Sequence, residues 1–97
     1  MNQYSYISKH CSERLKERSK LSNEKLIEIL DCGFYLKLWD DYELEHILMY
    51  SCVDKDYYVV VQHNSGLVIT ILNKNYYKDY VISEHNLSVA KNQNTFI

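Results

Sequence analysis

The stretch from Ser8 to Gly33 reads SKHCSERLKERSKLSNEKLIEILDCG, and it predicts two helices with a break between them. Ser8 and Ser22 stand where a hydroxyl can accept a free backbone N–H of the helix that follows. An apolar face recurs at helical spacing in the second segment, and Gly33 can end that helix in a left-handed conformation. The predicted helices therefore cover residues near 9–19 and 22–32.

Three side chains that can carry positive charge repeat at a spacing of four in the first predicted helix. They are His10, Arg14 and Arg18, and this spacing keeps them on neighbouring faces. An imidazole and two guanidiniums on one side of a helix form a candidate site for a phosphate group. A solvated surface with Glu13 and Glu17 as local ionic partners explains the same pattern, since surface charge is the norm.

The periodicity changes from four to two after Gly33, which predicts strands. Residues 34–39 alternate, and a further strand is predicted between residues 43 and 53. Tyr57–His63 and Leu67–Leu72 are apolar on both faces and flank a short loop, as expected of a hairpin in the middle of a sheet. These segments together predict a four-stranded antiparallel sheet.

The part of the chain after this sheet is polar and rich in tyrosine. Ser83 can cap a short helix with Glu84 in its first turn, so a polar tail or a short helix is predicted over residues 76–97. The whole chain, 1–97, is predicted to form a single α+β domain with its core over roughly residues 5–75 and the N-terminal helices on one face of the sheet. The side chains expected in the core are Leu15, Leu26, Ile29, Leu30, Val59, Val61, Ile69 and Ile71.

Charge and hydropathy argue against several classes of protein. The net charge is −2, which counts against generic nucleic-acid binding. The charge is uneven, because residues 9–20 are mostly basic and residues 40–56 carry six acidic side chains against one lysine. The longest apolar run is far short of the roughly 20 residues that span a bilayer, and the first residues lack a signal-peptide pattern. A cytoplasmic protein with no membrane association is therefore predicted.

The cysteines and histidines show no metal-binding pattern. The three cysteines are widely spaced and are expected to be buried thiols in a reducing compartment, although a nucleophilic cysteine is left open. The four histidines show no ligand spacing, so the prediction is that the protein uses no metal and no cofactor. Metal-free RNA cleavage needs only a base, an acid and cations around the phosphorane, and His, Arg, Lys, Thr and Tyr side chains can supply them.

Several short motifs resemble the start of small toxins of the RelE/ParE-like superfamily. The shared pattern is Ser8-Lys9-His10 … Glu13-Arg14 … Glu17-Arg18 … Leu21-Ser22 … Ile29-Leu30 … Gly33. It is most similar to BrnT-like members and to related toxin domains with a Lys-His … Glu-Arg helix. The strand Leu67–Leu72 resembles the end of the valine-rich hairpin of those relatives. The resemblance implies the barnase–EndoU–colicin–RelE fold.

The resemblance also implies a function and a set of site residues. Many members of the group are metal-independent ribonucleases of toxin type, so the implied substrate is RNA, with ribosome-associated RNA and transfer RNA as candidates. By position, His10 would be the base or acid, Arg14 would hold phosphate, and Thr70 would orient it from the sheet. The implied RNA-binding residues are Lys9, Arg18, Lys74 and a tail tyrosine, Tyr76 or Tyr77. A cognate antitoxin or immunity protein would be the protein partner.

A function of another class fits the same fold. The chain would then be a non-catalytic interaction protein, either a phage-type inhibitor of a host protein or a nucleic-acid binder, and its acidic turns and its tyrosines suit that role. One observable separates the two hypotheses. A nuclease needs His10, Arg14 and Thr70 to converge on a concave surface, whereas an inhibitor needs only a flat or acidic patch.

Overall fold

The computed structural model describes residues 5–78 and 80–93. Within these residues the chain is an α+β protein, as predicted, and both N-terminal helices are confirmed. The bounds of the elements are β1 Tyr6–Ile7, α1 Lys9–Arg18, α2 Asn23–Cys32, β2 Leu36–Asp41, β3 Leu44–Ser51, β4 Asp56–His63, β5 Leu67–Asn73, a short 3-10 turn Lys74–Tyr76 and α3 Glu84–Gln93. The last part of the predicted tail, 94–97, lies outside the described residues.

Local capping explains where the N-terminal helices begin and end. The Oγ atom of Ser8 accepts a hydrogen bond from the backbone N–H of Cys11 at 3.0 Å, and Ser22 does the same for Lys25 at 3.1 Å. Each bond satisfies one of the backbone donors that a first turn leaves free. Gly33 ends α2 with a φ of 72°, a left-handed conformation that glycine adopts without a steric penalty.

The sheet has five strands in the order β1-β5-β4-β3-β2 and is mixed. The antiparallel meander from β2 to β5 is confirmed, but the prediction of a four-stranded, wholly antiparallel sheet is wrong by one strand. The short strand β1 pairs in parallel with β5, where Tyr6 N donates to Gly66 O at 2.9 Å and Ser8 N donates to Val68 O at 3.1 Å. Such backbone bonds depend little on the side chains that a sequence pattern displays.

Helices cover both faces of the sheet. On the first face, called here the α1–α2 face, side chains of α1 and α2 join strand residues such as Ile47, Val60 and Ile71 in a cluster of buried residues. On the opposite face, called the α3 face, Ala90 of α3 packs with Val59 and neighbouring apolar side chains. The sequence predicted helices on one face only, and α3 adds the second layer. The two-sided apolar character of β4 and β5 is explained by these two layers.

The predicted core is confirmed at seven of its eight positions, and the exception is Ile69, which is only half-buried. The register explains this difference. Val61 pairs with Thr70 and Gln62 pairs with Val68, so Ile69 is an extra residue that forms a bulge in β5. The bulge changes the alternation, and Val68 takes the place in the α1–α2 cluster that Ile69 was expected to fill.

A partly buried polar junction fixes the corner between α1 and α2 against the β3–β4 turn. The carboxylate of Asp54 accepts hydrogen bonds from the hydroxyls of Ser19 and Ser51 and from the backbone N–H of Lys20 at 3.0 Å. Burial alone raises the pKa of Asp54, but these hydrogen bonds outweigh it and lower the pKa below the ordinary value of 3.8. The junction therefore favours the ionised carboxylate.

Every helix within residues 5–78 and 80–93 is too short and too polar to cross a bilayer.

Candidate functional site

Two of the predicted phosphate-binding residues of α1 are exposed, and the other two are already engaged. Lys9 and His10 are exposed. The Nη1 atom of Arg14 donates to both carboxylate oxygens of Glu17, at 3.0 and 2.9 Å. The Nη1 atom of Arg18 donates to the backbone carbonyl of Ile71 at 2.6 Å and so ties α1 to β5. The stripe is thus partly an ionic surface and partly a structural tether.

Thr70 lies on the other side of the sheet from α1. Its neighbour Ile71 packs in the α1–α2 cluster, whereas Leu72 packs in the cluster under α3. Because successive side chains of a strand point to opposite faces, Thr70 shares the α3 face with Leu72. The structure therefore does not bring His10 and Arg14 together with Thr70.

The remaining predicted RNA-binding residues lie beyond the end of β5. Lys74 begins the 3-10 turn, and its Nζ atom donates to Oδ1 of Asn75 at 3.2 Å. Tyr76 is 73% exposed. Lys74 also lines a cavity of about 420 Å³ between this turn and α3, together with Tyr77 and Lys78. The structure thus places Lys74 and Tyr76 on a different element from Lys9 and Arg18.

The tip of the β2–β3 hairpin is the most acidic turn on the surface. Asp41 pairs with Leu44, which leaves Tyr42 and Glu43 as a two-residue loop. Tyr42 is fully exposed and has a φ of 56°. Two-residue hairpin loops favour Gly, Asn or Asp where φ is positive, so a tyrosine is strained there. The exposed Asp40 precedes this loop on β2.

Two partners hold carboxylates around this tip in place. The Nε2 atom of His63 lies 2.9 Å from the carboxylate of Glu43, and the backbone N–H of Ser65 donates to Nδ1 of His63 at 3.0 Å. A backbone N–H can only donate, so Nδ1 is the acceptor and Nε2 carries the proton that Glu43 accepts. Within β2, Nζ of Lys37 lies 2.8 Å from the carboxylate of Asp40.

A group of polar aromatic side chains lies on the α3 face. Trp39 stacks on His46 with ring centroids 4.4 Å apart. The hydroxyl of Tyr77 accepts a hydrogen bond from Nε1 of Trp39 and lies 2.9 Å from Nδ1 of His46. His46 is buried, and its Nε2 atom has no hydrogen-bond partner within the described part of the chain.

The cysteines divide into one buried and two exposed thiols. Burial raises the pKa of the Cys11 thiol to about 11, which keeps it protonated and unreactive at neutral pH. Cys32 and Cys52 are exposed. Within the described residues, no group of three or more His, Cys, Asp or Glu side chains is arranged to hold a metal ion.

Sequence reasoning missed the role of two tyrosines. The segment Asp40–Tyr42 reads as a turn, and the signal that could have singled out Tyr42 is the lack of Gly or Asn in a two-residue loop between two strands. Tyr77 bonds to residues 31 and 38 positions away, so no local pattern indicates its partners.

Comparison with known proteins gives no relative: no family model, no curated protein and no solved structure matches this chain.

Proposed function

We propose that this chain is a non-catalytic interaction protein that binds a basic surface of a partner protein through the tip of its β2–β3 hairpin. The observation that carries the proposal is the β2–β3 tip, where Tyr42 is fully exposed with a φ of 56°. Strand alternation also assigns Thr70 to the α3 face, whereas α1, which carries His10 and Arg14, packs on the α1–α2 face. Acid–base cleavage of RNA needs the base and the phosphate-holding groups within hydrogen-bond reach of one substrate. An interaction protein has no such requirement.

The state of the arginines supports the same proposal. The guanidinium of Arg14 already faces the carboxylate of Glu17, and Arg18 is bonded to a backbone carbonyl. A phosphate would have to compete with an ion pair at Arg14 and with a tether of α1 at Arg18. The basic stripe on α1 is therefore better explained as surface charge and anchoring.

The hairpin tip has the chemistry of a protein contact. Tyr42 is held fully in solvent in a strained backbone conformation, so the fold gains nothing from its ring. Tyrosine is among the side chains that most often carry the binding energy of an interface. Because the backbone strain at Tyr42 does not stabilise the fold, it points to a function of this residue.

The charges around Tyr42 favour a basic partner. Asp40, Asp41 and Glu43 surround the tip. Lys37 forms an ion pair with Asp40, and His63 donates a hydrogen bond to Glu43. Complementary charge accelerates association and orients the partners more than it adds to affinity. Binding through this tip should therefore weaken as ionic strength rises.

The resemblance to RelE/ParE-like toxins, the barnase–EndoU–colicin–RelE fold that it implies, and the ribonuclease activity stay predictions. The same holds for an antitoxin partner and for a cytoplasmic location. In a ribonuclease centred on His10, the groups that hold the phosphate would have to come from α1 or from a bound partner molecule, since Thr70 is assigned to the opposite face of the sheet.

The proposal is tested with two matched tyrosine variants. Tagged chain is incubated with a lysate of the cells from which the sequence derives, and bound proteins are quantified for the wild type, Tyr42→Ala and Tyr76→Ala. Tyr76 is the control because it is also exposed but lies after β5. The expected result is a basic protein that the wild type and Tyr76→Ala retain and that Tyr42→Ala loses.

Two controls make this experiment decisive. Glu43→Gln should weaken retention of the same protein and should flatten its dependence on salt. Equal retention by Tyr42→Ala and the wild type, or a loss that is equally large in Tyr76→Ala, would show that the hairpin tip is not the binding surface.

A further inference from the structure

The two edges of the sheet are covered to different degrees. At one edge, β1 pairs with the first residues of β5, and α1 covers the next carbonyls of that strand. The Oγ atom of Ser8 donates to the carbonyl of Ile69 at 3.2 Å, and Nη1 of Arg18 donates to that of Ile71 at 2.6 Å. At the other edge, β2 pairs only with β3, and in the described part of the chain its backbone groups form no hydrogen bond outside that ladder. The sheet is therefore open along β2.

The features that usually block an open edge are weak in β2. An exposed lysine or a bulge commonly keeps another strand from adding to an edge. Lys37 is such a lysine, but its Nζ atom lies 2.8 Å from the carboxylate of Asp40 and 3.9 Å from that of Glu45, so these carboxylates offset its charge. The bulge is at Leu38, and the strand on both sides of it keeps its pairing with β3. The edge is therefore available to a strand that brings positive charge.

One side of this edge is acidic. Lys37 pairs with Ile47, which packs in the α1–α2 cluster, so Lys37 lies on the α1–α2 face. Asp40 pairs with Glu45, which is two residues from Ile47 on β3, and both carboxylates therefore lie on the same face. Residues 36–45 hold four carboxylates against one lysine. A basic side chain placed beside β2 on this face complements that charge.

The other side of this edge is apolar and aromatic. Leu36 and Leu38 are half-buried and pack against the cluster under α3. Trp39 is also half-buried, and its ring stacks on that of His46. Half-buried side chains leave apolar surface exposed at the edge of the sheet, and an added strand buries it.

We infer that β2 accepts an extended segment of the partner protein as a sixth strand of the sheet, in which basic and apolar side chains alternate. The basic side chains of the segment face the carboxylates of Asp40 and Glu45, and its apolar side chains face the half-buried side of the edge. Main-chain bonds to an open edge supply affinity in this mode of recognition, and alternate side chains supply specificity. Docking of the strand rests on the function proposed above, because it gives the geometry in which the basic partner lies beside the tip at Tyr42.

The experiment adds a synthetic peptide, acetyl-Thr-Lys-Val-Lys-Val-Lys-Thr-amide, to the full chain and follows the backbone amides by NMR and hydrogen exchange. The expected result is a saturable shift and slower exchange at the amides of β2, and this binding weakens as ionic strength rises. The amides of β1, at the covered edge, are the internal control and should not change. No saturable change in β2 up to about 1 mM peptide, or an equal change in β1, would overturn the inference.

Two N-methylated forms of the peptide separate backbone pairing from charge. One form carries methyl groups on the backbone nitrogens of its lysines, and the other carries them on those of its valines, so both keep every side chain. A strand presents alternate N–H groups to its neighbour, so one form should lose binding by at least about tenfold and the other should keep it. Equal binding of the two forms would show that charge alone holds the peptide and would overturn the added strand.

Matched charge variants locate the site. Asp40→Asn with Glu45→Gln should weaken peptide binding by about threefold or more, because cross-strand pairs of opposite charge are lost. Glu24→Gln with Glu28→Gln removes the same charge from exposed positions of α2 and should leave binding unchanged. Circular dichroism confirms that each variant is folded. Unchanged binding in the variant of Asp40 and Glu45, with a folded spectrum, would contradict the assignment.

The outcome for the strand is distinguishable from the outcome for the tip. Loss of the lysate protein by Tyr42→Ala, together with no peptide binding at β2, would overturn the added strand and leave the tip as the binding surface. Peptide binding at β2, together with retention of the lysate protein by Tyr42→Ala, would support the open edge and contradict the tip. Protection of β2 that rises with the concentration of the chain alone, with a dimer in ultracentrifugation, would show that a second copy occupies this edge and would overturn the inference.

Discussion

The two faces of the sheet are built in different ways. Among the described residues, the cluster on the α1–α2 face contains twelve buried residues, nine of them aliphatic, whereas the cluster on the α3 face contains four and relies on partly buried neighbours. The α3 face also holds the polar group of Trp39, His46 and Tyr77. The first face is therefore expected to supply most of the stability, and the second has room for a cavity and for unpaired polar atoms.

A leucine-to-alanine substitution on each face should show this difference in stability with the largest effect. Leu26 of α2 is fully buried, and Leu87 of α3 is half-buried. Leu26→Ala should lower the free energy of unfolding by about 2–5 kcal/mol through lost contacts and a cavity, and Leu87→Ala should lower it by about 1 kcal/mol. Urea denaturation of both variants gives the values. Equal losses would show that the two faces contribute alike.

The Asp54 junction should make the α1–α2 face sensitive to acid. The pKa of the Asp54 carboxyl lies below the ordinary value of 3.8 in the folded state. The stabilisation that the ionised carboxylate provides is therefore complete above pH 3.8, and it is lost as the pH falls from there through the folded-state pKa. Asp54→Ala should cost about 1–3 kcal/mol near neutral pH because it removes an ionised acceptor of three hydrogen bonds.

The control for this prediction is to repeat the comparison at a second, acidic pH. Urea denaturation of the wild type and Asp54→Ala is compared near pH 7 and below the folded-state pKa. The difference between the two proteins should shrink in acid, because protonation weakens the same bonds in the wild type. A difference that stays constant with pH would mean that Asp54 acts by packing and not by charge.

The polar aromatic group should contribute less than the apolar core. Tyr77→Phe removes the hydroxyl that bonds Trp39 and His46, and it should lower the free energy of unfolding by about 1 kcal/mol. Tyr57→Phe is the matched control on the same face, since no described hydrogen bond uses its hydroxyl, and it should change stability little. Equal effects of the two substitutions would show that the Tyr77 bonds do not stabilise the fold.

The smallest effect expected is a gain in stability at the hairpin tip. Tyr42→Gly relieves a positive φ at an exposed position and should raise the free energy of unfolding by about 0.5–1 kcal/mol. Lys55→Gly is the variant with which Tyr42→Gly is compared, because Lys55 also has a positive φ, of 55°, in the β3–β4 turn. Thermal unfolding measures both. A clear loss of stability in Tyr42→Gly would show that the ring serves the fold.

Capping and periodicity made the helices and the antiparallel meander predictable, because Ser8, Ser22 and Gly33 act on residues within one turn of themselves. The parallel pairing of β1 with β5 was not predictable, because the two strands are about sixty residues apart in the chain. The bulge at Ile69 also has no local signal, and it moves Val68 into the core in place of Ile69.

The candidate site was less predictable than the fold for a related reason. The spacing of His10 and Arg14 predicts that they lie on neighbouring faces of α1, but spacing alone does not say which face of the sheet α1 covers. Thr70 alternates with Ile71, so the packing of Ile71 against α1 directs Thr70 away. Only the tertiary arrangement shows that separation.

The proposal that the chain is non-catalytic is tested by an RNA cleavage assay. Purified wild type, His10→Ala and Thr70→Val are each incubated with total cellular RNA in the presence of a chelator, and the fragments are quantified. Intact RNA is expected with all three proteins. Cleavage by the wild type that falls about 10²–10⁴-fold in His10→Ala, the range for loss of a general acid or base, and that also falls in Thr70→Val, would contradict it.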